Sequence, residues 1–164
     1  ATNNTTINFS DTNTIIFDAG STERFRVDTS GVDVVGAITA TGDITAYSSD
    51  RRLKKNIEVI ESPLEKMKQL SGFTYDWDTW NCEKAGFKPN DEKQVGVFAQ
   101  DVQEVIPEAV RIAPFDQDEN GESKSGDNYL TVQYEKLVPL LIESNKALLK
   151  RVEELEELVK SKIS

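Results

Sequence analysis

The strongest constraint on how this chain can fold lies at its C-terminal end. From about Glu135 onward, Val138, Leu141, Asn145, Leu148, Val152, Leu155 and Val159 recur at spacings of three and four. That is the seam of a helix with a heptad repeat. The stretch "KRVEELEELVKSKI" offers little apolar surface outside the seam. Other helices must therefore cover it, and association between chains is the better reading than packing on its own domain. Valine at the first core position, leucine at the second and one asparagine follow the local rules for a two-stranded coil.

The N-terminal end makes the same demand. "TTINF", "NTIIFD", "RFRVD", "VDVVG" and "AITATGDITA" alternate or cluster β-branched residues, with Gly20, Gly31, Gly36 and Gly42 between them. These predict short strands joined by turns. Ten of the first 48 residues are threonine, which suits exposed strands and supplies little core. Strands of about four or five residues form a sheet that is marginal alone in water. At 37% hydrophobic residues, the chain is expected to share a core between several copies.

Residues 49–128 read as mixed. "SPLEKMKQL" carries the serine, proline and glutamate of a helix start, predicting a short helix at about 63–70. "GFTYDWDTW" alternates Phe73, Tyr75 and Trp77 as a half-buried strand does. A short strand is expected at 95–99. A helical stretch then presents Val102, Val105 and Ile106 before Pro107 ends it. "VRIAPF" and "NYLTVQY" read as strands flanking a polar loop at 116–127. In that loop Asp116, Asp118, Asn120 and Gly121 match the first half of an EF-hand pattern. The second half fails, because Ser123 stands where an apolar residue belongs and Asp127 replaces the bidentate glutamate. Pro114 also blocks a preceding helix. The loop is read as an acidic hairpin turn, with no metal and no cofactor.

Composition excludes several function classes. A net charge of −10 argues against a nucleic-acid partner. Cys82 is the only cysteine, so no intrachain disulfide can form. No signal-peptide pattern appears, and no apolar run approaches the length needed to span a bilayer, so membrane insertion is not expected. The chain has no histidine, which removes Ser-His-Asp and Cys-His catalysis and leaves lysine or a carboxylate as the base.

The change from strand-like to helix-like sequence falls at "AYSSDRRLKKNIEVI", residues 46–60, where two serines meet Asp50, Arg51, Arg52, Lys54 and Lys55. "SSDRRLKKNI", followed by "GVFAQDVQEVIPEAV" and "YLTVQYEKLVPLLIESNKALLKRVEELE", resembles the C-terminal intramolecular chaperone domain of phage tail fibres and endosialidase tailspikes. This is the family classed as S74 peptidases, which also occurs in myelin regulatory factor. The resemblance covers residues 49 to about 160, and its Ser-Asp-x-Arg-x-Lys element is specific at a β-to-α change of this kind. It implies a domain that trimerises, guides folding of the preceding fibre and cuts itself off with a serine–lysine dyad. On this chain the serine is Ser49, the lysine is Lys54, and the cut falls between Ser48 and Ser49.

The implied architecture is α+β. Residues 1–48 are the distal end of a trimeric β-structured fibre, 49–128 a mixed α+β chaperone and self-cleavage core, and 129–164 a C-terminal coiled-coil helix. The partners implied are two further copies and the upstream fibre segment of the same chain. The implied locations are the host cytoplasm during assembly and the virion tail for the mature fibre, with the chaperone released. The resemblance says trimer where the heptad composition leans to dimer; we follow the family, because a shared strand set also explains the poor core of residues 1–48.

The chemistry can be tested without the family. A lysine amine titrates near about 10.4, so serving as a base near pH 7.5 costs the cation roughly 4 kcal/mol. Desolvation and like-charged neighbours push that way, and Arg51, Arg52 and Lys55 are the neighbours at hand. The five-residue spacing places Ser49 and Lys54 on one face of neither a helix nor a strand. They meet either through a turn at "DRRL" or across a subunit boundary. Asp50 either caps that turn or orients a group. Spacing alone favours a capping serine and a solvated lysine, and the resemblance reverses the order. The competing reading is a non-cleaving fibre tip or adhesin clamped by its helical end, and a third is a tip that binds a host receptor.

Overall fold

Alternating apolar and polar residues build a four-stranded antiparallel meander from β1 (Thr5–Asp11), β2 (Thr14–Ala19), β3 (Glu23–Asp28) and β4 (Gly31–Val34), in that spatial order. The computed structural model describes residues 4–11, 13–46, 48–118 and 120–163. Between β2 and β3 both central turn residues, Gly20 and Ser21, take positive φ (64° and 59°), and Ala19 N–H donates to the Thr22 carbonyl at 2.9 Å. That backbone twist matches the strands of a tight hairpin.

Register sorts the side chains. The pairs Ile7–Phe17, Phe17–Phe25, Phe25–Val34, Ile15–Val27 and Val27–Val32 lie opposite one another, so one face of the sheet is mainly apolar, with Thr5 beside Ala19 at one end. The other face carries Asp18, which accepts from Thr6 Oγ1 at 2.9 Å and Asn8 Nδ2 at 2.6 Å. It also carries Arg26, paired with Glu23 through two contacts of 2.8 and 2.7 Å. The apolar face is uncovered: Phe9 is 77% exposed, Val32 59% and Ile7 57%. Residues 37–46, expected as a further strand, form none. A strand needs a neighbour for its N–H and C=O groups, and among the described residues none pairs with this segment, leaving Ile38 and Ile44 exposed.

The chain divides into two compact units, Ala1–Lys55 and Asn56–Ser164. The second unit is built from α1 (Pro63–Lys68), β5 (Phe73–Tyr75), α2 (Thr79–Lys84), β6 (Gln94–Gly96), α3 (Ala99–Val105), β7 (Val110–Ile112), β8 (Leu130–Val132) and α4 (Val138–Ile163). β5 pairs with β6 and β7 with β8, both antiparallel. The α+β class read from the sequence holds.

Two local expectations need correction. Ser62 sits in the left-handed region (φ 48°) and makes no side-chain cap bond, so the predicted capping box is absent and Pro63 starts α1 without it. The helix is held instead by packing on α4, where Ser144 Oγ donates to the Pro63 carbonyl at 3.2 Å. The strand read over 72–80 is real only at 73–75, because Asp78 accepts from Asn81 N–H at 3.1 Å and caps α2.

Val102, Ala109 and Val110 form the buried centre, with Leu70, Val97, Ile106, Leu130, Val132 and Leu137 packed around it. An unbroken chain of ring contacts runs Phe98–Phe73–Tyr75–Trp77–Phe87–Phe115–Tyr129, with centroids 4.2 to 5.9 Å apart. Each such pair contributes about 0.5–1.5 kcal/mol beyond the area it buries, so the rings tie the two hairpins into one body. Gly96 has no room for a side chain, since a Cβ there would lie 2.8 Å from the Tyr134 hydroxyl.

The 116–127 loop is organised by carboxylates turned inward. Asp116, 2% exposed, accepts from Ser123 Oγ (2.7 Å), Ser125 N–H (2.9 Å) and Tyr129 N–H (3.1 Å). Asp118 Oδ1 accepts from the Asn120 and Glu122 amides. Both carboxylates thus serve the turn, in line with the hairpin reading. The Ser123 hydroxyl foremost, then the Ser125 and Tyr129 amides, hold Asp116 down to about 2 against the opposing effect of burial, from an ordinary value of 3.8. A carboxyl lowered in the folded state stabilises fully above its unfolded value and loses that contribution as pH falls through the folded one. Asp116→Asn is therefore expected to lower Tm at neutral pH and to flatten the pH dependence of Tm between 3.8 and about 2. Thermal melts across that window check both; an unchanged slope would remove Asp116 from the account of acid unfolding.

The seam residues of α4 other than Asn145 are 44% to 54% exposed in the single chain. Asn145 itself donates Nδ2 to the Leu141 carbonyl of its own helix at 2.8 Å. Ile142, Leu149 and Leu158 are also exposed and flank the seam. Among the described residues no helix is long and apolar enough to cross a membrane.

Candidate active site

Ser48 and Ser49 are exposed and lead into a single 3-10 turn, Arg51–Leu53. Asp50 is its N-cap, with extended backbone (φ −64°, ψ 132°), and its Oδ1 accepts from Arg52 N–H at 2.8 Å. The turn closes with Leu53 N–H on the Asp50 carbonyl and Lys54 N–H on the Arg51 carbonyl, both at 3.1 Å. Lys54 then returns to extended backbone, and its side chain comes back over the turn. Lys54 Nζ lies 2.7 Å from Ser49 Oγ. Of the two routes the spacing left open, the turn within one chain brings the groups together.

That separation serves proton exchange in either direction. An ammonium donates to the serine oxygen, and a neutral amine accepts from the serine hydroxyl. Both side chains are exposed in the single chain, so any desolvation of Lys54 has to come from outside it.

Arg52, expected as one of the cations crowding Lys54, is engaged elsewhere. Its Nη2 lies 2.7 Å from Asp50 Oδ2, and its Nε lies 3.1 and 3.2 Å from the two Asp50 oxygens. The Arg52 guanidinium, then its amide, holds the Asp50 carboxyl below the usual carboxylate range, and Asp50 raises Arg52 in turn. Sequence reasoning did not find this pair. The signal available was the Asp-x-Arg spacing across a predicted turn.

Residues 49–111 match the family described as chaperone of endosialidase, beginning at Ser49 itself. The chain is 40% identical over 108 residues to the long tail fiber protein Gp37 of Enterobacteria phage T2, and 39% identical over 108 residues to that of Enterobacteria phage K3. Each match takes in 66% of this chain and 7% or 8% of the relative. The corresponding protein of Salmonella phage S16 is 34% identical over 70 residues, 40% of this chain and 8% of that protein. The chain thus spans less than a tenth of the curated relatives it matches. The matched segment includes Ser49, Asp50, Arg52 and Lys54, α1 to α3 and the first two residues of β7, and stops short of α4.

Proposed function

We propose that residues 49–164 are the intramolecular trimerisation chaperone of a viral tail fibre and that it releases itself by cutting between Ser48 and Ser49. Residues 1–48 are then the distal end of the fibre, 49–128 the chaperone core and 129–164 the C-terminal segment whose helix α4 gathers three chains. Assembly takes place in the host cytoplasm, the mature fibre sits on the virion tail, and the chaperone is discarded. The observation that carries this reading is the 2.7 Å approach of Lys54 Nζ to Ser49 Oγ at the first residue of the family match.

Two surfaces support assembly. The sheet of the first unit leaves one mainly apolar face uncovered, which further copies of the same face would bury. On α4 the exposed Ile142, Leu149 and Leu158 widen the apolar stripe beyond the strict seam. A two-stranded coil uses the narrow seam, and a broader stripe suits a helix with two neighbours.

The chemistry follows from the nucleophile standing directly after the bond it attacks. Ser49 Oγ adds to the Ser48 carbonyl carbon through a five-membered ring, while Lys54 takes the hydroxyl proton. The carbon–nitrogen bond breaks as that proton passes to the Ser49 nitrogen, leaving the Ser48 acyl group as an ester on Oγ. Water hydrolyses the ester, giving a Ser48 carboxylate and a free Ser49 amine. Only the neutral amine can start the sequence, so cleavage quickens as pH rises.

Intact-mass measurement on the purified protein tests the reading, with fragments of 48 and 116 residues expected. Neutral hydroxylamine should speed the reaction and leave a hydroxamate on Ser48, one NH heavier than the acid. A single uncut species across pH and concentration would instead support the non-cleaving fibre tip.

A further inference from the structure

We infer that Asp50 and Arg52 are a positioning pair: the Asp50 carboxylate, clamped by the Arg52 guanidinium, sets the turn that returns Lys54 to Ser49 and is kept from pairing with Lys54 itself. This rests on the reading of Ser49 and Lys54 as nucleophile and base. It assigns work to two residues that touch neither the scissile bond nor the transferred proton.

Three observations carry it. Both Asp50 oxygens are taken by Arg52, through its amide, its Nε and its Nη2. Among the described residues no ion pair joins Asp50 to Lys54, although they are four positions apart across one turn. The same carboxylate oxygen that meets the Arg52 side chain also caps its backbone, so one group fixes both the turn and the direction of the guanidinium.

The physical need is plain. An unclaimed carboxylate beside the dyad would attract the lysine ammonium, hold it charged and draw Nζ off Oγ. A bidentate guanidinium is the side chain best shaped to occupy a carboxylate on both oxygens. The exposed pair adds little to global stability, because water screens it. Its effect is on where Lys54 points and how readily it gives up its proton. The lowered Asp50 carboxyl agrees with this, since a carboxylate held so firmly ionised is a poor proton carrier.

The test uses the full chain and reads cleavage rate against pH. Asp50→Ala should slow cleavage about tenfold, the scale of losing an N-cap, and Asp50→Asn or Asp50→Ser, which keep a capping oxygen, should recover most of the rate. Arg52→Ala should move the rate–pH profile to higher pH by freeing Asp50 to pair with Lys54, and adding Asp50→Asn to it should move the profile back. If Asp50→Asn is as slow as Asp50→Ala and Arg52→Ala leaves the profile in place, Asp50 handles the proton and the inference is overturned. Failure of the dyad reading looks different: the parent does not cut, or Ser49→Ala still does. In either of those cases, amide hydrogen exchange over residues 51–54 in the Ser49→Ala chain decides the capping half. Faster exchange in Asp50→Ala, restored by Asp50→Ser, supports it, and identical exchange in all three overturns it.

Discussion

Ser49→Ala is expected to give one intact polypeptide of 164 residues where the parent gives pieces of 48 and 116. Removing a nucleophile that acts together with its base costs about as much as removing both, on the order of 10⁶ in rate in comparable serine enzymes. Over days of storage that separates complete cutting from none. The fold should be untouched. Ser49 is exposed, and its one bond to Lys54 lies in water, where such a contact is worth at most about 1 kcal/mol. Circular dichroism and sedimentation of the variant should therefore match the uncut parent. Cutting at the same bond in Ser49→Ala would exclude Ser49 as the nucleophile.

Leu148→Glu combined with Leu155→Glu should break the oligomer and, with it, cleavage. Both leucines lie on the α4 seam and are about half exposed in the single chain. In a trimer the double variant places six carboxylates where six leucines would be buried. At roughly 2 kcal/mol or more for each unpaired polar group taken from water, association loses on the order of 10 kcal/mol. A complex held at micromolar concentration does not survive such a loss. The rate should fall as well, because Lys54 is exposed in the single chain and only neighbouring chains can desolvate it. Sedimentation as an intact trimer would show that the seam is not the interface and that the β region carries assembly alone. A rate per chain that stays constant on dilution, in a sample shown to be monomeric, would uncouple cutting from assembly.

How much of this was legible beforehand depended on how local each signal was. α4 could be read because its period repeats from Val138 to Val159 within a helix of 26 residues and nothing competes with it. The hairpin strands β1 to β4 and β7 to β8 could be read from alternation and glycine spacing. α2 was hidden because Phe73, Tyr75 and Trp77 alternate like a strand, and only the Asp78 cap contradicts them. Residues 37–46 have strand composition, but composition cannot supply a pairing partner. Ser62 carries the sequence of a capping box and the backbone of a left-handed turn, a choice made by tertiary packing. At the site, the absence of histidine narrowed the base to lysine or carboxylate, and the resemblance selected Ser49 and Lys54. That the two side chains approach within one chain became visible only with the turn at Arg51–Leu53, and the donors around Asp50 only with the folded backbone.

The uncovered face of the β1 to β4 sheet bears on reversibility. In the proposed trimer, with α4 holding three chains together, their sheet faces would meet at an effective concentration of roughly millimolar, set by the tether rather than by dilution. Under the proposed cut that tether is gone, and three released ends that come apart must find one another from bulk solution. Their persistence then depends on the height of the barrier to separation and no longer on an equilibrium between open and closed forms. Heating and cooling should reveal the change: uncut protein refolds along its melting curve, and cut protein, once melted, stays apart with its phenylalanines exposed to aggregation.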